Sequence, residues 1–379
     1  MRSRRSVQAL LGVLAQLTQG VIGLALLLVG HEAHLSVATS ALAVSAYAIG
    51  MSVGRPLQGR ALDTVAPALV LAACGLAHAG AYVLITVAAH NRWAGLFVAF
   101  SMLAGLFLPP IATQMRAQWP QAVGADRATS VFAFIALLQT LSVLIAPVLF
   151  SAVSSVASAA AAMLTVAGVS GACTVLFALA VPRGRAPGGS PGRVAVRRYF
   201  TPLLLTLLVG AVAGSLEVVA PALAIAAHHP GAAGPLVIIA TLGMVASGAL
   251  AMRVGNRIAA RTMLVRAAAL EVIGAAVLLI PAPLPVAGVG LVLVCAGDTP
   301  AIAALGTLVR EHAAGTAEAF GWQSTALGLG VAGGSAVAGA LVTVGAHLSA
   351  VPALVCAVAC AAIASFDLLA VRHQQGATA

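Results

Sequence analysis

A chain of 379 residues that is 61% hydrophobic and 7% charged, with a mean hydropathy of +1.07, lacks the polar side chains that a soluble fold of its size needs for its surface. Its net charge of +10 would suit a nucleic-acid binder, but the nineteen cations are all arginine and flank apolar runs instead of forming a patch with interleaved aromatics. Composition therefore excludes a soluble domain and a nucleic-acid partner. It predicts an all-α integral membrane protein whose arginines face anionic inner-leaflet lipid.

A hydrocarbon core about 30 Å thick takes roughly 20 apolar residues per helix. Twelve runs fit: 7–30, 36–57, 67–88, 94–114, 130–152, 157–181, 200–226, 234–252, 263–281, 285–308, 319–344 and 350–370. The first follows the basic stretch Met1 to Arg5 and imitates a secretory signal, yet it is long enough to stay as span 1. Eighteen of the arginines fall before span 1, after span 12 or in every second connector. Because short connectors keep Lys and Arg on the cytoplasmic side, both termini are expected in the cytoplasm and the chain in the plasma (inner) membrane. Only Arg92 breaks the alternation. The pattern assigns Arg55, Arg60, Arg116, Arg127, Arg253, Arg257, Arg261, Arg266 and Arg310 to inner connectors and leaves the membrane interior without arginine.

The longest connector, 182–199, carries Gly, Pro, Ser and five arginines (Arg183, Arg185, Arg193, Arg197, Arg198) and has little to fold with. It divides the chain into an N-terminal bundle of six helices, 1–181, and a C-terminal bundle of six, 200–379. The halves also read as a repeat. Ser130, Ala133 and Phe134 correspond to Thr316, Ala319 and Phe320, and Pro110 corresponds to Pro300.

Cys74, Cys173, Cys295, Cys356 and Cys360 all lie in apolar runs, where cysteine packs as a small hydrophobe, so neither a disulfide framework nor a metal site is indicated. The chain lacks HExxH, a phosphate loop and a Cys/His cluster, so no enzymatic chemistry and no cofactor is expected. Six histidines (His31, His34, His90, His228, His229, His347) sit in or beside outer connectors, where neutral imidazole supplies polarity without positive charge. His78, inside span 3, is expected to bond a neighbouring helix.

Acids within spans carry more information, because a charge there costs several kcal/mol unless it faces a cavity or a partner. Four qualify. Asp367 lies one turn from the end of span 12, near Arg372, and snorkelling to the inner interface accounts for it. Glu271, close to Arg261 and Arg266, is expected in a structural ion pair. Asp298 (before Pro300 in span 10) and Glu217 (between Gly214 and Pro221 in span 7) have no basic neighbour in sequence. A carboxylic acid taken out of water without a counter-ion favours its neutral form, the property a proton carrier needs, so these two are the proton-coupling candidates. Gln16 and Gln19, three apart on one face, with Tyr47, Gln139, Trp322 and Gln323, are candidates for lining a substrate cavity; hydrogen bonding between helices is the alternative use of such groups.

The connector after span 2 reads Gly54-Arg55-Pro56-Leu57-Gln58-Gly59-Arg60-Ala61-Leu62-Asp63. Here the chain resembles the major facilitator superfamily, whose signature in this loop is Gly, three residues, Asp, then a basic residue followed by a further Gly and basic residue. Gly59 and Asp63 match; Thr64, Ala66 and Pro67 stand where Arg, Gly and Arg are usual. The resemblance implies a gating loop of Gly59, Arg60 and Asp63 that locks one conformational state, with the Asp near the start of span 11, where a helix dipole stabilises a carboxylate. Ala146-Pro147 is similar to the Gly-Pro element of the family's antiporters. Phe97 to Pro110 has no counterpart of the Arg found in span 4 of many proton-coupled drug exporters. The segment Thr316 to Trp322 resembles a bacterial drug or sugar efflux subgroup.

The resemblance implies two six-helix bundles rocking about a midplane site. The expected function is secondary active transport by alternating access, with protons driving efflux of a small, moderately apolar organic compound. Proton-linked uptake of a sugar or metabolite is the alternative, and a non-transporting membrane scaffold or sensor is the alternative of another class. The partners are substrate, protons and the bilayer, and the chain is expected to be a monomer.

Overall fold

A computed structural model describes residues 2–124, 127–181, 196–229, 232–313 and 315–377. Arg183, Arg185 and Arg193 of the long connector, and the side chains of Arg2, Arg4, Arg5, Arg198 and Arg372, lie outside the described residues. The described residues form fourteen α-helices and no strand. These are α1 (Arg2–Leu14), α2 (Leu17–Glu32), α3 (Val37–Thr64), α4 (Pro67–His90), α5 (Ala94–Leu106), α6 (Ile111–Val123), α7 (Ala128–Ser154), α8 (Ala159–Ala180), α9 (Phe200–Ala226), α10 (Ala233–Val254), α11 (Ala260–Leu279), α12 (Leu284–His312), α13 (Ala317–Val342) and α14 (Val351–Ala377). Eleven described stretches are long and apolar enough to cross a membrane; α1 and α2 count as one of them, as do α5 and α6. With α3, which lies between the first two, they follow the twelve predicted spans in order. Leu69, Leu76, Val148, Leu179 and Phe366 are exposed, as suits helices that are apolar on all sides and bathed in lipid.

Two spans are broken for identifiable reasons. Between α1 and α2 the Gln16 side chain folds back, and its Nε2 donates to the Gly12 carbonyl at 2.8 Å. The backbone N–H of Gln16, which would take that carbonyl in a regular helix, bonds Val13 instead. Between α5 and α6 stand Pro109 and Pro110, which have no N–H to continue the ladder. The helix then resumes and runs to Val123, nine residues past the predicted end of span 4. Likewise α3 continues to Thr64, so the expected loop of Gly59, Arg60 and Asp63 forms the last turns of a helix. Pro300 lies inside an unbroken α12.

The chain packs as two compact units. Unit 1 is Met1–Gln118, Leu138–Arg193 and Thr316–Thr325; unit 2 is Trp119–Leu137, Val194–Gly315 and Ala326–Ala379. In unit 1 the core is built on Leu17, Leu26, Tyr82, Ile85, Phe97 and Phe150. His78 ties three of its elements together, with Nδ1 2.7 Å from the Ala104 carbonyl and Nε2 3.0 Å from Thr18 Oγ1. In unit 2 the core is built on Val219, Leu223, Leu278, Leu291 and Val294. There α9 and α13 meet through small residues: a Cβ on Gly214 would stand 2.0 Å from the Val331 carbonyl, and one on Gly334 2.0 Å from the Ala211 carbonyl. Such backbone approach supplies the packing that the hydrophobic effect cannot supply between helices in lipid.

Three helices end in the same way. His34, Arg92 and His228 have φ of 58°, 59° and 59°. Each follows its helix by two residues, and the residue after each donates back across the turn: Leu35 to Gly30, Trp93 to Ala88, His229 to Ala224. Arg92, the exception to the charge pattern, is thus a left-handed helix terminator. Glycine adopts this conformation without the side-chain strain of about 1 kcal/mol. Arg92→Gly is expected to raise the unfolding temperature of the detergent-purified protein, and Arg92→Val, β-branched at the same φ, to lower it; thermal unfolding of the three proteins checks the order.

Candidate functional site

The last turns of α3 meet the first turn of α13 inside unit 1. Asp63 Oδ1 accepts from the Ala317 N–H and Oδ2 from the Glu318 N–H, each at 2.9 Å. One carboxylate therefore satisfies two orphan donors of α13 and meets the positive end of its dipole. Burial pushes the Asp63 carboxyl up, against the opposing pull of the N–H donors of Glu318 and Ala317. The helices touch backbone to backbone: a Cβ on Gly59 would stand 2.5 Å from the Ala317 carbonyl, and one on Gly321 2.4 Å from the Arg55 carbonyl. Pro56 leaves the Ser52 carbonyl without its helical donor, and the Thr325 hydroxyl donates to that oxygen at 2.8 Å. Arg60 is exposed, and among the described residues neither Arg60 nor Arg55 forms an ion pair.

Unit 1 also corrects the expectation of an arginine-free interior. Arg55 and Arg116 are 6% and 4% exposed, within α3 and α6, because both helices run on where connectors were expected. Arg116 Nη2 donates to Gln139 Oε1 on α7 at 2.9 Å. Thus α6 carries a buried arginine, just beyond the Phe97 to Pro110 segment that lacks one. Tyr47 is buried in the core of unit 1 beside Tyr82, and Gln323 is buried with its Oε1 unpartnered. Gln19, Gln139 and Trp322 are half-buried. Gln16 is buried and spends its amide N–H on Gly12.

Unit 2 brings the two proton-coupling candidates to one cavity. It has a volume of about 260 Å³ between α9, α10 and α12, with walls that include Leu216, Val237, Met244, Leu291 and Val294. Glu217 lies at its exposed rim and Asp298 is buried in its wall; Thr241 and Cys295 are the other polar lining groups. A second cavity of about 400 Å³, near Pro281 to Leu284 and His347, has no acid in its lining.

Glu271 is a correction. It is 0% exposed, and neither carboxylate oxygen has a hydrogen-bond partner. Arg261, its expected partner, donates from Nε to Asp367 at 2.7 Å and lies 3.5 Å from Glu311. Asp367 is accordingly held by Arg261 rather than merely snorkelling. Glu271 instead sits against α12, where a Cβ on Gly297 would stand 2.7 Å from its Cγ, and the Asp298 charge acts on it. Cys295 and Cys360 are its other titratable neighbours. Three acids thus stand at increasing depth: Glu217 at the rim, Asp298 in the wall, Glu271 behind it. Only the absence of a nearby cation hinted at the first two, and Arg261 and Arg266 obscured the third. Among the described residues no group of His, Cys, Asp and Glu could hold a metal ion.

The family profile described as Major Facilitator Superfamily matches residues 9–335. The chain belongs to the major facilitator superfamily. It is therefore a multi-pass membrane transporter and not an enzyme. Solved major facilitator structures share its fold across nearly the whole chain. A bacterial homologue of the iron transporter ferroportin in an outward-facing state aligns with TM-score 0.76 and 12% identity, over 95% of this chain and 98% of that one. The E. coli fucose:proton symporter aligns with TM-score 0.72 and 12% identity, over 97% and 98%. The human organic anion transporter MFSD10 aligns with TM-score 0.69 and 17% identity, over 95% and 96%. No curated protein sequence matches the chain.

In this major facilitator the contact between α3 and α13 is the feature most open to direct measurement. Loss of a helix N-cap costs about 1 kcal/mol. Asp63→Ala is expected to speed hydrogen exchange of the Ala317 and Glu318 amides by roughly tenfold, and Asp63→Asn, which keeps one acceptor oxygen, by less. Mass spectrometry of peptides spanning 316–320 reads both.

Proposed function

We propose that the chain is a proton-coupled exporter of a small organic compound, working by alternating access. The carrying observation is that Asp298 and Glu217, distant in sequence, line one largely aliphatic cavity with no cation among its lining residues. Proton binding at Asp298 favours one state, and substrate displaces the proton in the other; differential affinity of this kind is what moves a two-state equilibrium. Glu217 receives the proton at the rim, and the buried Glu271 extends the path inward. The halves 1–181 and 200–379 act as the two six-helix bundles, joined by the connector 182–199. The arginine pattern supports a plasma (inner) membrane location with both termini cytoplasmic, and the monomer is the working unit. The Asp63 contact with α13 fastens one of the two states, as the gating element. Substrate meets Gln19, Tyr47, Gln139, Trp322 and Gln323, while Gln16 holds the break between α1 and α2.

The fucose:proton symporter and the organic anion transporter share the fold at identities too low to transfer direction or substrate. Everted vesicles decide the direction. An imposed inside-acid gradient is expected to drive accumulation of an exported compound from a panel of labelled small organic molecules. Asp298→Asn is expected to cut that accumulation at least tenfold and Glu217→Gln to weaken it, without lowering the amount of protein in the membrane. Undiminished gradient-driven flux in both variants sinks proton coupling at this cavity.

A further inference from the structure

Asp298, on α12, is 8% exposed, lines the cavity of unit 2, and has neither a hydrogen bond nor an ion pair among the described residues. Both oxygens of Glu271 behind it are sealed from solvent, whereas Asp298 keeps contact with the cavity. An unpaired carboxyl out of water is costly, and the cavity is the side from which a partner can reach this one. The other polar groups of the lining also accept. Glu217 stands at the rim, and the Thr241 hydroxyl gives its hydrogen to the Val237 carbonyl at 2.8 Å, which leaves its lone pairs for a ligand. Cys295 offers only a thiol, a weak donor. The lining residues include no arginine, histidine or amide side chain. An anion finds no donor there, and a sugar would leave most of its hydroxyl oxygens unpaired against aliphatic walls. A positively charged group that only donates completes the lining. Because none of the lining residues is aromatic, there is no cage for a quaternary ammonium, and charge-assisted N–H···O bonds are the recognition on offer. A volume of about 260 Å³ lies below the roughly 300–1,000 Å³ usual for drug-sized ligands, so the body that fits is small.

We propose that this cavity binds an organic cation, a protonated amine on a small hydrocarbon body, whose ammonium donates to the Asp298 carboxylate while the body lies against Leu216, Val237, Met244, Leu291 and Val294. The proposal rests on the transport reading and names its substrate class. It also defines the exchange. Asp298 holds a proton in one form and the ammonium in the other: the carboxyl O–H bond breaks, the proton leaves to water, and the cation becomes the counter-charge of the carboxylate. One positive charge replaces another, so a one-for-one exchange moves no net charge across the membrane. The titratable groups around Asp298 are Glu217 on α9, Cys295 on its own helix and Glu271 on α11, and α10 brings none to the cavity. Glu217, at the exposed rim, adds attraction for cations at the mouth. An uncharged compound cannot take the place of the proton and is rejected on that ground.

Thermal unfolding of the full-length protein in neutral detergent tests this without any gradient. The probes are hexylamine and benzylamine, with hexanol and benzyl alcohol as neutral controls of the same body and hexanoate and benzoate as anionic ones. At least one amine is expected to raise the unfolding temperature saturably, and the alcohols and carboxylates to leave it unchanged. Over the pH range in which the protein stays folded, acidification is expected to raise the half-saturating amine concentration by up to about tenfold per pH unit, since one proton competes with one cation. Asp298→Asn should weaken the amine response at least tenfold, and Glu217→Gln should weaken it less. Thr241→Lys, which brings an ammonium to the cavity wall, should unfold at a higher temperature than the wild type without ligand and lose the amine response. No response to either amine, an equal response to the alcohols, an amine affinity unchanged by pH, or an undiminished response in Asp298→Asn overturns the proposal. Should Asp298→Asn fail to fold, an undiminished amine response in Thr241→Lys overturns it equally. Asp298-dependent amine binding without gradient-driven amine flux counts against the transport scheme and not against the cation site. Proton-driven flux confined to uncharged or anionic compounds and lost in Asp298→Asn overturns the cation class and leaves the coupling scheme standing.

Discussion

The constraint behind this structure is that charge removed from water has to be compensated, and neither unit compensates its own. Among the described residues, unit 1 buries two arginines with no acid bonded to them, and unit 2 buries two acids, with a third at the cavity rim, with no cation bonded to them. At the centre of a membrane helix each such group costs roughly 2.5–3.5 kcal/mol by insertion measurements. A protein shaped only for stability would replace them with apolar side chains of similar volume. The proton coupling proposed above rests on the acids of this set.

Contrast with the ion pairs that are complete makes the point. Arg261 holds Asp367 and approaches Glu311, all partly exposed, where screening makes the pairing worth little but also makes leaving it open cheap. Asp63 is matched to two N–H donors, and Pro56, Thr325, Gly59 and Gly321 each remove an obstacle to that contact by freeing an acceptor, filling it, or clearing space for the backbone. Where the fold needs a contact to hold, polar groups are paired.

The sequence made the gross architecture readable, because lipid demands a long apolar run for every crossing and the arginines mark the gaps. The resemblance carried by Gly59 and Asp63 likewise implied a contact with the start of α13, where a carboxylate meets free N–H donors. What it hid was depth. Arg116 reads as a connector residue because the apolar run closes at 114, whereas the helix continues to Val123 and carries the side chain inside. Glu271 reads as paired because Arg261 and Arg266 are near in sequence, whereas Arg261 is taken by Asp367, a residue 106 positions away. The shared cavity of Glu217 and Asp298 depends on which faces of α9 and α12 turn together, and helices that are apolar all round give no periodic signal of it.

The exchange of segments between the units has a consequence for biosynthesis. Unit 1 is complete only with Thr316–Thr325, and Ala317 leaves the ribosome 254 residues after Asp63, the group that it bonds. At about 5–20 residues per second that is a wait of roughly 13–50 s. During this interval the end of α3 lacks its partner: Asp63 has no N–H donors, the Ser52 carbonyl has no hydroxyl, and the glycine face around Gly59 is bare. The nascent first half is therefore held short of its final packing until late in translation. It is in this window that an insertase or membrane chaperone would find the chain most in need of shelter.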